Sequence, residues 1–313
     1  DQTEMVASFG TASAIGAADK YNYLLPNLSV KLDITDTVVA RFGASRTLTR
    51  PTLQSMAPVT NIGTTRPGGN LTAAAGNPGL KPFESDNIDL SLEWYYDDAS
   101  YMSLGFFTKN VSNFIVNTTE SQTFTTSDGS LLTDPTTGLD PNAPDAEDEV
   151  AVFTTTLPTN GEEAIVDGLE FAIQHNFGDS GFGTLFNVTV VDSDSNLDVA
   201  DIEQKFAVTG LSDSLNLVGF YEEGPYQIRL AYNHRKAFLQ SLSQTNGDGV
   251  TFVDDYSQWD MSGSVDISEN FTAFFEITNL TEEVVTKHGR YDNHFLKAED
   301  AGRRLAVGVT ASF

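Results

Sequence analysis

The feature that most constrains this chain is a period of two. Between residues 87 and 96, Ile88, Leu90, Leu92, Trp94 and Tyr96 alternate with Asn87, Asp89, Ser91, Glu93 and Tyr95. Successive side chains on a strand point to opposite faces, so this segment has one apolar face and one largely polar face. The same rhythm closes the chain, where Leu305, Val307, Val309, Ala311 and Phe313 fall at every second position. Further strands are predicted at 27–34, 38–47, 101–116, 164–176, 184–191, 211–221, 226–237, 256–267 and 271–280. With 87–96 and 303–313 that makes about eleven, each near or above the ~9–11 residues a tilted strand needs to cross a bilayer.

The connections sort into two alternating classes. Short ones lie at 35–36, 97–100, 178–181, 222–225 and 268–270; long ones cover roughly 48–84, 117–163, 192–209, 238–255 and 281–302. Transmembrane β-barrels show this asymmetry, with short turns on the periplasmic edge and long loops outside the cell. A soluble sandwich has no reason to sort its connections so strictly. The expected fold is therefore all-β, an antiparallel transmembrane barrel segment. The last strand then runs inward and ends at the periplasmic edge, and the first residues fall in an extracellular loop. Single-chain bacterial barrels have an even strand number. An odd count leaves two edges whose backbone groups cannot be satisfied in lipid. The expectation is that residues 1–313 are the C-terminal part of a longer protein.

Composition does not oppose this reading. Hydrophobic residues make up 40% of the chain and the mean hydropathy is −0.21. There is no apolar run near the ~20 residues of a spanning helix, but barrel strands never produce one. The absence of cysteine excludes a disulfide framework and Cys-based zinc sites. Asp1-Gln2-Thr3-Glu4-Met5 has neither a basic nor an apolar signal region, so an export signal is expected upstream.

Several strings, taken in order, resemble the barrel of TonB-dependent outer-membrane receptors. They are VARFGASRTLTRP at 39–51, GNPGLKP at 76–82, SDNIDL at 85–90, FTKNVSNFI at 107–115, VDGLE at 166–170 and the ending GRRLAVGVTASF at 302–313. The likeness runs from about Tyr23 to the end. LSDSLNLVGFYE at 211–222 is also similar to the subgroup found in Xanthomonas, Caulobacter and marine relatives. The resemblance implies a Gram-negative outer-membrane barrel of about 22 strands, of which this chain is the C-terminal half. It implies an N-terminal plug and uptake energised by the TonB, ExbB and ExbD complex. It also implies assembly by machinery that reads the terminal Phe313. Substrates across the family include siderophores, haem, cobalamin and oligosaccharides, with saccharides often implicated for the subgroup. The plug and the TonB-contacting box are absent from this sequence, so this segment alone is not expected to gate or couple to TonB.

Charge is unevenly placed. The formal net charge is −27, and no Lys or Arg occurs between Lys109 and Lys205. Asp140, Asp145, Glu147, Asp148 and Glu149 cluster in one long connection, either as an electronegative mouth that concentrates cations or as a solvated loop. Asp192, Asp194, Asn196, Asp198 and Glu203 match the ligand spacing of an EF-hand calcium loop. Leu197 stands where that turn needs glycine, and no flanking helices are evident. A polar loop is the default there, calcium the only cofactor suggested, and none is required.

The alternation assigns Arg41, Asp89, Glu93, Glu170, Gln174, Arg229, Gln258 and Asp260 to the lumen. There they hydrogen-bond to water and to whatever fills the barrel, and would line any substrate path. For capture of a small-molecule substrate the candidates are loop aromatics and imidazoles: His234, Phe238, His288, Tyr291, His294 and Phe295. Sugar rings stack on aromatics and His ligates metals. Aromatics near strand ends serve more often as an interfacial girdle facing outer-membrane lipid. No phosphate loop, HExxH or nucleophile elbow is present, so no enzyme is expected. The net charge disfavours nucleic acid. The expected function is a nutrient-importing outer-membrane receptor. A passive porin and a soluble secreted glycan-binding β protein are the alternatives.

Overall fold

In the computed structural model, which describes residues 2–6, 13–17, 20–63, 71–125, 129–134, 149–202, 204, 206–242 and 249–312, the alternating segments form one sheet of eleven strands. They are β1 (Asn27–Asp33), β2 (Val38–Thr49), β3 (Phe83–Asp97), β4 (Ser100–Ser112), β5 (Ala164–Asn176), β6 (Phe182–Ser193), β7 (Ser214–Glu223), β8 (Tyr226–Arg235), β9 (Tyr256–Ser268), β10 (Phe271–Thr278) and β11 (Arg304–Ala311). Each wall strand pairs with the wall strand before it and the wall strand after it in the chain. Such a meander puts all the short turns, at 34–37, 98–99, 177–181, 224–225 and 269–270, on one edge. The long connections all leave from the other. No helix occurs among the described residues.

Register keeps the two faces distinct. Tyr226, Ile228, Leu230 and Tyr232 of β8 stand opposite Val265, Gly263, Met261 and Trp259 of β9. Gln227, Arg229 and Asn233 stand opposite Ser264, Ser262 and Gln258. A slip of one residue would exchange the faces, so the pattern specifies the register strongly. The apolar face is open: Leu90, Leu305 and Val307 are 53%, 68% and 74% exposed. Soluble proteins seldom leave so extended an apolar surface uncovered. On the polar face the close approach is between ring and backbone. A Cβ at Gly183 would lie 2.1 Å from the Phe220 ring and one at Gly168 would lie 2.2 Å from Phe107, so only glycine fits beneath these rings. β1 and β11 have one neighbour each, which leaves two edges without a ladder partner among the described residues.

Contacts divide the chain into two units, 1–25, 47–85 and 111–163 in one and 26–46, 86–110 and 164–313 in the other. The long connections, expected as loops, carry further strands in both. In the first unit Phe153–Asn160 pairs antiparallel with Ile115–Gln122 and parallel with Thr72–Ala75, and Thr60–Ile62 adds a fourth strand. Phe153, Ala151 and Ala73 form its buried core. Gln2–Val6 and Ser13–Ala17 pair as a two-stranded sheet where a loop was expected. In the second unit Phe238–Leu242, Val250–Val253, Val285–His288 and Phe295–Glu299 make a four-stranded sheet, with Ala207, Leu239 and Val250 buried together. Most of these strands have five residues or fewer, too few to show a period, and the pairings that join them into sheets, such as Phe252 with His288 and Thr155 with Ala73, cross more than thirty positions.

Three wall boundaries differ from expectation by three residues or more, the first being β3, which begins at Phe83 rather than 87. β4 stops at Ser112 rather than 116 because Asn113 adopts a positive φ of 61° and turns the chain. β7 begins at Ser214 rather than 211. The Asp213 carboxylate accepts the Val191 N–H and an Lys236 ammonium hydrogen bond, which fastens the approach by side chain instead of by ladder.

Candidate ligand-binding cap and polar wall

The wall's polar face carries the expected polar residues, several of them already committed to one another. Arg41 of β2 meets Glu93 of β3 through two hydrogen bonds of 2.7 and 3.1 Å, and the Tyr95 hydroxyl donates to the same carboxylate at 2.9 Å. The fork of the guanidinium matches a carboxylate, but the Arg41 side chain is 48% exposed. A pair so open to water contributes little to stability. Asp89 packs over Gly43 and Glu170 over Gly105, one strand across in each case. The Gln174 amide donates to the Ala99 carbonyl at 3.2 Å, close to a short turn.

Toward the long-connection edge a polar ladder climbs β9. Tyr256 donates to Gln258 at 2.6 Å, Gln258 donates to both oxygens of Asp260 at 2.7 and 2.9 Å, and Asp260 accepts the Asn279 N–H at 2.9 Å. Asn279, absent from the sequence-derived set, is 4% exposed and has a positive φ of 56°. Its side chain bonds Glu283 and Gly302, gathering both ends of the final connection. Arg229 lines an open depression of about 550 Å³ with Glu276, Ser262 and Gln227, flanked by Phe220 and Phe274.

The loop candidates separate into those the fold gathers and one it does not. His234 is a wall residue: it lies in β8 on the apolar-face register, its Nδ1 2.9 Å from the Ser257 hydroxyl and its ring stacked beside Tyr232. Tyr232 in turn packs on Trp259. The imidazole therefore extends an aromatic cluster at the strand end instead of entering a loop, since even-numbered positions of β8 all share that face. Phe238 opens the four-stranded loop sheet, with the Arg235 guanidinium 4.5 Å over its ring. His288 stacks on Phe252 at 5.1 Å, donates from Nδ1 to the Gly289 carbonyl at 2.7 Å and holds Nε2 3.3 Å from Asp254. Asp254 also accepts from Thr286. The His294 ring lies against Gly289, and the His294 backbone N–H donates to the Tyr291 carbonyl. Tyr291 and Phe295 are 55% and 66% exposed. His288 is thus engaged in internal contacts, while Tyr291 and Phe295 present rings to solvent.

Arg290, which no motif singled out, joins two long connections. Its Nη1 donates to the carbonyls of Asp198, Val199 and Asp201 at 3.2, 3.1 and 3.0 Å. Leu197 from the same segment packs on the Ala207–Leu239–Val250 core. Three connections of the second unit are thereby built into one cap. Among its described residues, Lys297 and Lys287 share one carboxylate, that of Glu299, at 2.9 and 3.3 Å. Those hydrogen bonds hold the Glu299 carboxyl below the ordinary carboxylate range. The Asp213 carboxyl is lowered in the same way by Lys236 and the Val191 N–H, and Lys236 is raised by Asp213.

The described carboxylates of the calcium-like spacing accept hydrogen bonds from their own segment and from β5. Asp192 accepts from Asn196, Asp194 from the Ile165 N–H and Asp198 from the Ala200 N–H, while Gln204 bridges Asp198, Asn196 and Phe206. These bonds fasten the segment to its own backbone and to β5. No group of three or more His, Asp or Glu placed to hold a metal occurs among the described residues. Glu203 lies outside them, as do Asp140, Asp145, Glu147, Asp148 and the terminal Phe313. Glu149 is described and accepts at its carbonyl from the Asp134 N–H.

Residues 2–280 match the family described as TonB dependent receptor-like, beta-barrel. Among solved structures the chain is similar to the ferric enterobactin receptor PfeA of Pseudomonas aeruginosa, at 18% identity and a TM-score of 0.65 over 92% of this chain and 40% of that one. The siderophore receptor PirA of Acinetobacter baumannii gives 16% and 0.64 over 92% and 41%. The FrpB iron transporter of Neisseria meningitidis gives 11% and 0.57 over 96% and 40%. At such identities the likeness is one of fold. The chain spans about two fifths of the length of these receptors. No curated protein sequence matches it at a significant level.

Proposed function

We propose, since this chain belongs to the TonB-dependent receptor-like β-barrel family, that it forms part of the wall and the cell-face cap of an outer-membrane receptor. That receptor imports a scarce nutrient with TonB-derived energy. The observation that carries the reading is the division of one sheet into an apolar and a polar face, with every long connection on a single edge. The polar face is the lumen wall. The apolar face meets lipid, where backbone groups must all be paired internally. Aromatic pairs stand at both ends of that face, Trp94–Tyr96 and Phe182–Tyr221 near the short turns and Tyr232–Trp259 near the long connections. Two such girdles mark the membrane interfaces. The open edges of β1 and β11 call for further strands, as in a barrel of about 22.

Ligand capture falls to the cap, with Tyr291 and Phe295 as its exposed rings. A net charge of −27 weighs against polyanionic cargo, because a field of that sign repels it. Neutral oligosaccharides and uncharged or cationic iron chelates are the classes favoured. The test is uptake by the host strain of labelled neutral oligosaccharides and ferric siderophores, with and without the gene and with the proton-motive force intact or collapsed. Gene-dependent uptake that stops on collapse supports the receptor. Uptake that persists unchanged would establish a passive porin instead.

A further inference from the structure

The lipid-facing surface of the wall is not uniform. Near the short turns of β8, β9 and β10, Tyr226 stands in line with Val265 and Ala273, and Ile228 in line with Gly263 and Phe275. Gly263 and Ala273 offer a hydrogen and a methyl group where the positions around them carry large side chains. The result is a depression of about 530 Å³ walled by Tyr226, Ile228, Val265 and Phe275. The Phe275 ring leans over Gly263 so closely that a Cβ there would lie 2.7 Å from Cε1. Tyr226 and Ile228 are 58% and 47% exposed. The groove is continuous with the face that meets the bilayer, so hydrocarbon, not water, fills it.

Its mouth has a different character. Tyr221 borders the groove, and its hydroxyl donates to Glu223 at 3.1 Å. The Tyr221 ring lies 4.7 Å from that of Phe182, which helps line a second recess of about 450 Å³ with Asp179, Glu222 and Glu223. Gly181 keeps that recess open: its φ is +75°, and a Cβ would come within 2.8 Å of the Glu223 Cβ. The stretches 34–37, 97–100, 177–181, 222–225 and 268–270 contain no Lys or Arg. An anionic headgroup beside this groove would meet the carboxylates of Asp179, Glu222 and Glu223, whereas an ammonium would be attracted.

We propose that β8–β10 hold one phospholipid of the short-turn leaflet, a zwitterionic lipid with a primary ammonium headgroup. One acyl chain lies in the groove between Tyr226 and Phe275. The ammonium reaches the carboxylates around Glu223, past Tyr221. The apolar cavity takes the tail, and the acidic recess beyond the interfacial tyrosine selects the head.

This inference rests on the membrane reading of the wall, and the test separates the two. The full-length receptor is purified in detergent, checked for heat-modifiable migration, and offered phosphatidylethanolamine or phosphatidylglycerol with identical acyl chains. Retained lipid is counted by native mass spectrometry. The ethanolamine lipid is expected to be retained several-fold better. Ala273→Phe, which fills the groove, should lower retention of both lipids. Glu223→Gln should reduce the preference and leave retention of the glycerol lipid unchanged. Should Ala273→Phe fail to fold, Tyr226→Ala removes the groove's exposed wall and serves in its place. Equal retention of the two lipids by the wild type, or retention insensitive to the groove variants, overturns the proposal. A wild-type protein that shows no heat-modifiable, detergent-dependent fold overturns the membrane reading, and the lipid site with it.

Discussion

At the scale of single residues, the side chains that matter most are those that replace ladder hydrogen bonds where strands leave the wall. Asp213 is the clearest. It receives Lys236 at 2.9 Å and the Val191 N–H at 3.0 Å, and both lower its carboxyl below the ordinary range. A lowered carboxyl contributes stability above its unfolded pKa of ~3.9 and loses it as pH falls through the folded value. Lys236 is raised, so its share persists below the ordinary ~10.4 and is lost as pH rises through its folded value. The thermal midpoint of the wild type should therefore exceed that of Asp213→Asn by a constant margin between about pH 5 and 9. The margin should shrink in acid and again in strong base. A margin flat down to pH 3 would show that the ion pair contributes nothing. Asn279 and Arg290 belong to the same class, each tying distant backbone together, and neither carries a sequence signal, because carbonyl partners leave no pattern in residue type.

At the scale of the strand, the argument turns on which face a residue occupies. Leu90 lies on the apolar register of β3 and Ser91 on the polar one, a difference legible in the alternation from 87 to 96. Arg at Leu90 should cost ~2–4 kcal/mol if it meets lipid near the bilayer midplane, whereas Arg at Ser91 should cost much less. Urea unfolding of the receptor in lipid vesicles measures both, and equal costs would count against the assigned faces. Strand existence was legible for all eleven wall strands because each repeats the period often enough to be counted. The short strands of the long connections were not. Val250–Val253 and Val285–His288 offer four residues each, and their pairing depends on a partner more than thirty positions away. His234 differs for a related reason: its imidazole suggests a loop residue, while its parity with Tyr232 places it in β8 on the apolar face.

For the whole molecule, the two lone-neighbour strands define the next question. In hydrocarbon an unpaired strand edge leaves N–H and C=O groups unsatisfied, each at a cost of several kcal/mol. In the full-length receptor in membranes, the outward amides of β1 and β11 should therefore exchange as slowly with deuterium as those of β7, inside the sheet. Fast exchange at both edges would mean that no further strands close the wall. Sequence by itself determined the wall: strand count, the sorting of faces and the alternation of short and long connections all follow from local periodicity, since a strand's two faces repeat every second residue. Tertiary structure alone decided the cap. Arg290 on the Asp198–Asp201 turn, His288 on Phe252 and the buried Ala207–Leu239–Val250 cluster join residues tens of positions apart. Contacts closed across such distances are set by where the strands deliver their loops, which no run of neighbouring residues encodes.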